Sequence, residues 1–263
     1  MAQHKIYRAV SSNSSAETYG QCWAGESIAD NLRLCKVQSI QPLLVQHLPK
    51  DGPILESGCG LGRWVFHLRE QGYDVLGIDL ATEALQAAKQ YDPTIPIEAR
   101  DVLKTGLADE SFAGVISLGV VEHFEDGPQE ALRELRRVLR PGGILCISVP
   151  VINPVRRLLY HPLNALSRMV RQLRGVRFEF EEYRYDRRHF ERLLRESGFE
   201  VIDCAADDFL PPKNLGLYAD WRWLRSPKAK WELTPIGNCI ANCLRNISPW
   251  NICAGAFWIC RKI

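Results

Sequence analysis

The sequence predicts an α/β fold, a mostly parallel sheet with helices on both faces. Three observations carry that expectation. Short apolar runs alternate with segments of helical periodicity through the first 150 residues. One of those runs, Ile54-Leu55-Glu56-Ser57, opens straight into Gly58-Cys59-Gly60-Leu61-Gly62. The acids Glu56, Asp79, Asp101 and Glu122 fall at the ends of apolar runs, where ligands gather in such a sheet.

Taken in order, residues 1–20 are polar and serine-rich with no apolar stretch of signal-peptide length, so secretion is not expected. Residues 27–48 carry Ile28, Leu32, Cys35, Ile40, Leu44 and Leu48 at mainly helical spacing, and Pro49 to Pro53 end that segment. After the strand at 54–57, glycines without Cβ let the backbone turn tightly and approach a ligand, and the helix over 63–71 points its first amides at the gap. The next strand, 74–79, ends in Asp79, an acid placed to accept hydrogen bonds from both hydroxyls of a ribose. A helix follows over 82–91 with Thr82 as its N-cap, and Ala99-Arg100-Asp101-Val102 follows a third short strand. Residues 115–121 are β-branched and apolar, read as a buried strand, and run out into Glu122 and His123. A third helix over 125–139, the turn Pro141-Gly142-Gly143 and a fifth strand complete the alternation.

The glycine spacing is E-x-G-x-G-x-G and not the G-x-G-x-x-G of dinucleotide sites. It resembles motif I of the class I S-adenosylmethionine-dependent methyltransferases, and over residues 50–150 the later segments are similar to that family in the same order. The similarity is to the small-molecule and lipid-directed members, the methyltransferase type 11-like group. The resemblance implies a Rossmann-like, seven-stranded sheet whose last strand is antiparallel, with S-adenosyl-L-methionine as donor and S-adenosyl-L-homocysteine as product. It implies cofactor contacts from Glu56, Gly58, Gly60, Gly62, Asp79, Leu80, Asp101, Val102, Leu118 and Gly119. Of these, Glu56 and the glycines would lie at the methionine end, Asp101 at the adenine amine, and 115–123 over the sulfonium. A single domain, 1–263, would comprise an N-terminal lid and helix (1–49), a cofactor core (50–150), a basic helical cap insertion (151–185) and a C-terminal part (186–263) with a long connection at 209–255. Tyr19 and Trp23 fall in the lid region and read equally as lid or core aromatics.

Composition agrees with one domain. The 263 residues are 46% hydrophobic, enough for one good core, and a net charge of +2 gives no general pull toward nucleic acid or membrane. Cys22, Cys35, Cys59, Cys146, Cys204, Cys239, Cys243, Cys253 and Cys260 are nine thiols with no C-x-x-C pair. They read as reduced core residues of a cytoplasmic protein. The last four match no zinc spacing, and there is no C-x-x-x-C-x-x-C trio for an iron-sulfur cluster, so no metal is expected.

After Pro150 the pattern changes. Arg156, Arg157, Arg168, Arg171, Arg174 and Arg177 precede any acid up to Glu179, interleaved with leucines, and predict two short basic amphipathic helices. One reading is a solvated arginine face above an apolar face that covers the sheet; the other is a surface for anionic lipid headgroups or an acidic substrate. Residues 186–197 read as a helix capped by Asp186, and strands are expected at 198–202 and 256–262. The connection carries Trp221, Trp223, Trp231 and Trp250 and an apolar stretch near 236–252, too interrupted to span a bilayer, which either packs against the roof or rests on a membrane.

Methyl transfer is an in-line displacement that asks the protein for alignment and exclusion of water, with no metal and no covalent intermediate. A hydroxyl acceptor would need a base, and His123 is the leading candidate because imidazole titrates near neutrality; its alternative role is to order its loop. His189 and Tyr185 are weaker candidates, His67 reads as structural, His161 has no motif beside it, and Glu122 either meets the cofactor or orients His123. The expected function is transfer of a methyl group to a small-molecule or lipid-like acceptor. A cofactor-binding regulatory protein without turnover is the alternative, and a nicotinamide oxidoreductase is disfavoured by the glycine spacing. No N-P-P-Y or D-P-P-Y tetrad and no added RNA-binding module argues for a nucleic-acid partner. The expected location is cytoplasmic, compatible with peripheral membrane contact.

Overall fold

The computed structural model describes residues 2–10, 26–210, 215–228 and 231–263. The chain begins with β1 (Gln3–Ala9), followed by α1 (Ile28–Val37) and α2 (Gln41–His47). The alternating core then runs β2 (Ile54–Ser57), α3 (Arg63–Glu70), β3 (Val75–Asp79), α4 (Thr82–Tyr91), β4 (Ile97–Ala99), β5 (Phe112–Leu118), α5 (Gln129–Val138) and β6 (Leu139–Pro150). Beyond it come α6 (His161–Leu173), β7 (Phe178–Tyr185), α7 (Arg187–Glu196), β8 (Phe199–Asp207), α8 (Leu215–Asp220), α9 (Pro235–Ile247) and β9 (Gly255–Lys262).

Seven strands form the main sheet in the order β4-β3-β2-β5-β6-β9-β8. Strands β2 to β6 pair in parallel, and β9 is antiparallel to both neighbours. This is the arrangement expected, last strand included. Because successive side chains of a strand point to opposite faces, β9 sends Trp258 and Cys260 to one side and Phe257 and Ile259 to the other. The first side is closed by α5, whose Ala131, Leu132, Leu135 and Val138 recur at helical spacing, and by Phe190 and Leu194 of α7. The second is closed by α1 to α4 through Cys35, Leu44, Trp64, Leu68 and Leu85.

Several boundaries differ from the sequence expectation for local reasons. The 27–48 segment is two helices, because Gln38 is extended and Pro42 sits in the first turn of α2, where its missing N–H costs nothing. Ser27 caps α1 through the Asp30 amide. Thr82 is not the N-cap of α4; Ala81 holds that position, and its amide is taken by Asp79. The third helix starts at Gln129, since residues 121–123 form a 3₁₀ turn of their own. Of the cysteines expected in the core, Cys239 and Cys243 are exposed on α9, one turn apart. Cys22, Tyr19 and Trp23 lie outside the described residues.

The largest departure is in the insertion. Instead of two short helices, one π-turn (Arg156–Tyr160) runs directly into α6, and Pro162 is tolerated in the first turn. The chain then returns as β7, which pairs antiparallel with the distant β1 as a two-stranded ribbon. Arg156 is buried, not solvated: its Nε donates to Asp220 Oδ2 at 2.7 Å, and one terminal nitrogen donates to the carbonyls of Val151 and Ala254. Arg184 of β7 meets the other oxygen of Asp220 at 2.8 Å and Glu182 at 3.0 Å. Burial would push the Asp220 carboxyl up, but the two guanidiniums outweigh it and hold its pKa below the ordinary carboxylate value. Among the described residues, no helix is long and apolar enough to cross a membrane.

Asp220 thus joins the insertion, the ribbon and the 209–255 connection. Asp220→Ala leaves two buried guanidiniums without their shared counter-charge, and is expected to lower unfolding free energy by about 3 kcal/mol or more. Urea denaturation against the parent protein measures this.

Candidate active site

The glycine loop is held by carboxylates from two neighbouring strands. The amides of Gly58 and Cys59 donate to the Ile78 carbonyl at 2.8 and 2.9 Å, closing the turn against β3. The Gly60 amide donates to Asp79 Oδ2 at 2.7 Å, and Asp79 Oδ1 accepts from the Ala81 amide at 2.8 Å. Gly58, Gly60 and Gly62 all have positive φ, and a Cβ on Gly58 would stand 2.3 Å from Val120 Cγ2. Gly62 occupies the N-cap of α3 and offers no side chain, so the Glu56 carboxylate caps the helix by accepting from the Val65 amide at 3.0 Å. Burial pushes the Glu56 carboxyl up to about 8, with Arg63 and the Val65 amide opposing and Asp79 adding to the rise.

The β5 end supplies the other wall. Glu122 is buried, and its Oε2 has no hydrogen-bond partner among the described residues. Burial raises its carboxyl to about 7, against the opposing effect of His123. Nδ1 of His123 lies 2.8 Å from the Glu181 carbonyl. A carbonyl can only accept, so Nδ1 carries the hydrogen and Nε2 is the basic nitrogen of the neutral ring. Burial works against protonation of His123, but Glu122 and the Glu181 carbonyl outweigh it and raise the imidazole pKa above its ordinary value.

Two cavities meet here. The smaller, about 260 Å³, is lined by Glu56, Gly58, Asp79, Leu80, Asp101 and Val102 on one side, and by Leu118, Gly119 and His123 on the other. Nine of the eleven residues singled out in the sequence therefore converge on it. The remaining two, Gly60 and Gly62, shape the loop from behind. The larger cavity, about 790 Å³, shares Arg63, Leu118 and Gly119 with the first, and adds Glu122, Arg156, Tyr160, Arg184 and Arg225.

Arg63 and Arg225 were not legible as site residues. Arg63 directly follows Gly62, which is the signal that could have singled it out; Arg225 donates to the Tyr218 and Ala219 carbonyls at the end of α8 and has no motif around it. Of the weaker candidates, Tyr185 is fully buried in the core and His161 is buried and stacked on His4 at 4.1 Å. His67 bonds Gln71 within α3. None of these three lines the smaller cavity. Among the described residues, no group of His, Cys, Asp or Glu is arranged to hold a metal ion.

A sequence model of the methyltransferase domain matches residues 55–147. The demethylmenaquinone methyltransferase of Chlorobaculum parvum is 31% identical over 169 residues, which cover 59% of this chain and 68% of that protein. The chain belongs to the class I S-adenosylmethionine-dependent methyltransferases. S-adenosylmethionine is the family's cofactor, and the chain is an enzyme of that class. A tRNA U34 carboxymethyltransferase of Geobacter is 34% identical over 125 residues, 44% of this methyltransferase and 38% of that one. The chain spans about half or less of the length of other curated relatives that it matches. Among solved structures, a methyltransferase of Methanosarcina mazei shares the fold with a TM-score of 0.58 at 19% identity, covering 84% of this chain and 97% of that one.

The methyltransferase loop depends on Gly58. Gly58→Ala combines a left-handed backbone with the Val120 contact, and an expected loss of about 2 kcal/mol or more exceeds that of Gly72→Ala, which has equal φ strain and open space around it. Chemical denaturation of both, with Val120→Ala added to relieve Gly58→Ala, checks this.

Proposed function

We propose that this methyltransferase passes a methyl group to a small-molecule or lipid-like acceptor in the larger cavity, with His123 as the base and Glu122 setting its proton affinity. The observation that carries the reading is the shared wall of Arg63, Leu118 and Gly119, with His123 on the smaller cavity and a buried, unpartnered Glu122 carboxylate oxygen in the larger. Similarity to a demethylmenaquinone methyltransferase supports an acceptor of that chemical kind.

The residues of the smaller cavity fit S-adenosylmethionine. Each Asp79 oxygen accepts one amide and keeps a further lone pair for a ribose hydroxyl. Leu80, Val102 and Phe124 provide apolar surface for an adenine, and Asp101 an acceptor for its amine. Glu56 and the glycine turn would hold the methionine end. When bound, the cofactor supplies a methyl carbon activated by positive sulfur. The protein's own part is alignment, a water-poor wall and removal of the acceptor's proton to His123 Nε2. Glu181 fixes the ring through Nδ1, and the Glu122 charge makes the imidazole a stronger base.

Turnover with labelled cofactor, offered quinol-type and phenolic acceptors and a tRNA, tests the acceptor class; product from the tRNA alone would overturn it. Asp79→Ala should weaken cofactor binding by roughly tenfold or more, since charged hydrogen bonds are lost. Titration calorimetry showing unchanged affinity would contradict the ribose role. His123→Ala should lower turnover by about a hundredfold with cofactor affinity kept. Glu122→Gln removes the charge that raises the imidazole pKa, so the base stays neutral to lower pH and the acidic limb of the rate profile moves down. A limb that stays in place would refute the coupling.

A further inference from the structure

We propose that α6 is a docking surface for an anionic lipid bilayer, the helix lying flat on the membrane with its apolar stripe inserted. The carrying observation is that α6 sits on the protein the wrong way round for a globular helix. Leu159, Leu163, Leu166, Met169, Val170 and Leu173 recur at three- and four-residue spacing and are all exposed, Leu173 to 82%. The opposite, polar side faces the body. His161 stacks on His4, Arg168 lies over the Tyr7 ring at 4.5 Å, and Arg171 over Phe178 at 5.2 Å. Cation–π contacts with the β1–β7 ribbon fix this orientation, so the apolar stripe, about 20 Å long by helical rise, is presented to the outside by construction.

Charge selects the occupant. Between residues 151 and 178 there are six arginines and no acid. Asp220 neutralises Arg156 and Asp186 pairs with Arg157, whereas Arg168, Arg171, Arg174 and Arg177 have no carboxylate partner among the described residues. A second copy packed on this stripe would bring arginine against arginine. Anionic headgroups instead meet the exposed Arg174 and Arg177 while the leucines enter the acyl boundary. An aromatic path continues the surface: Tyr160 at the root of α6 contacts Trp221 at 6.0 Å, and Trp221 contacts Trp223, which is 66% exposed, as interfacial tryptophans are. Tyr160 and Asn164 also line the larger cavity, so a docked α6 would set that cavity beside the lipid surface. The docking itself rests on the fold and charge pattern and not on the acceptor reading.

The test is co-sedimentation of the full chain with phosphatidylcholine vesicles, with and without phosphatidylglycerol. Binding is expected only to the anionic vesicles, and should fall steeply with salt. Arg174→Glu with Arg177→Glu should weaken it by roughly tenfold or more, each basic residue near such a surface contributing severalfold. Leu166→Asp with Leu173→Asp, at exposed positions away from both cavities, should abolish it while calorimetric cofactor affinity and circular dichroism stay unchanged. Absence of binding to anionic vesicles overturns the proposal. So does a dimer in sedimentation velocity that the leucine substitutions dissociate, which would make a second copy the occupant. Loss of cofactor binding in the parent protein would instead strike the donor-site reading and leave the docking result standing.

Discussion

One carboxylate, that of Asp79, ties the site together. From the tip of β3 it receives the Gly60 amide of the loop after β2 and the Ala81 amide at the start of α4. The loop's own glycines supply the backbone freedom, but freedom alone would leave it disordered; the Gly60 bond to Asp79, with those of Gly58 and Cys59 to the Ile78 carbonyl, selects one conformation. That conformation brings Glu56 under the start of α3, where it caps the helix and is sealed from water. A buried acid whose proton affinity burial raises, with Asp79 adding to the rise and Arg63 opposing it, is thereby stored beside a gap. Such an arrangement favours a ligand that brings hydroxyls and a positive charge.

The β5 end has the same logic with a different partner. Glu122 is buried without hydrogen-bond compensation for Oε2, a cost that burial of a carboxylate always carries, and its nearest relief is the adjacent imidazole. Burial raises the Glu122 carboxyl, and His123 pulls it back down; in return the Glu122 charge raises the imidazole pKa. Gly119, with positive φ, makes the turn that lets the strand deliver both groups to opposite cavities.

The sheet was legible because its signals are local. The apolar run at 54–57, the glycines, Asp79 and the turn at 141–143 each express a constraint satisfied within a few residues, and nine of the eleven site residues singled out, most of them by the family resemblance, line one cavity. What sequence reasoning missed depends on partners far along the chain. Residues 178–185 form a strand because β1, about 170 to 180 positions away, pairs with them. Arg156 reads as a solvated arginine until Asp220 folds over it. Glu134 and Arg137 of α5, not singled out from the sequence, bind Thr105 and Leu107 and so fix the approach to β5.

The inverted helix follows from the same long-range contacts. Amphipathic periodicity states that a helix has an apolar side; it is silent on which way that side faces. In α6 the choice is made by arginines whose guanidiniums find aromatic faces on the ribbon, and by the buried Arg156–Asp220–Arg184 cluster that anchors the helix root. A guanidinium can stack on a ring while remaining charged, so the ribbon holds the cationic side without a carboxylate. The leucines are then left outside, on the far side of the same helix whose Tyr160 and Asn164 wall the larger cavity. One element therefore presents an apolar surface outward and a polar cavity wall inward. The same long-range contacts that turn the leucines outward also shape the wall of the cavity.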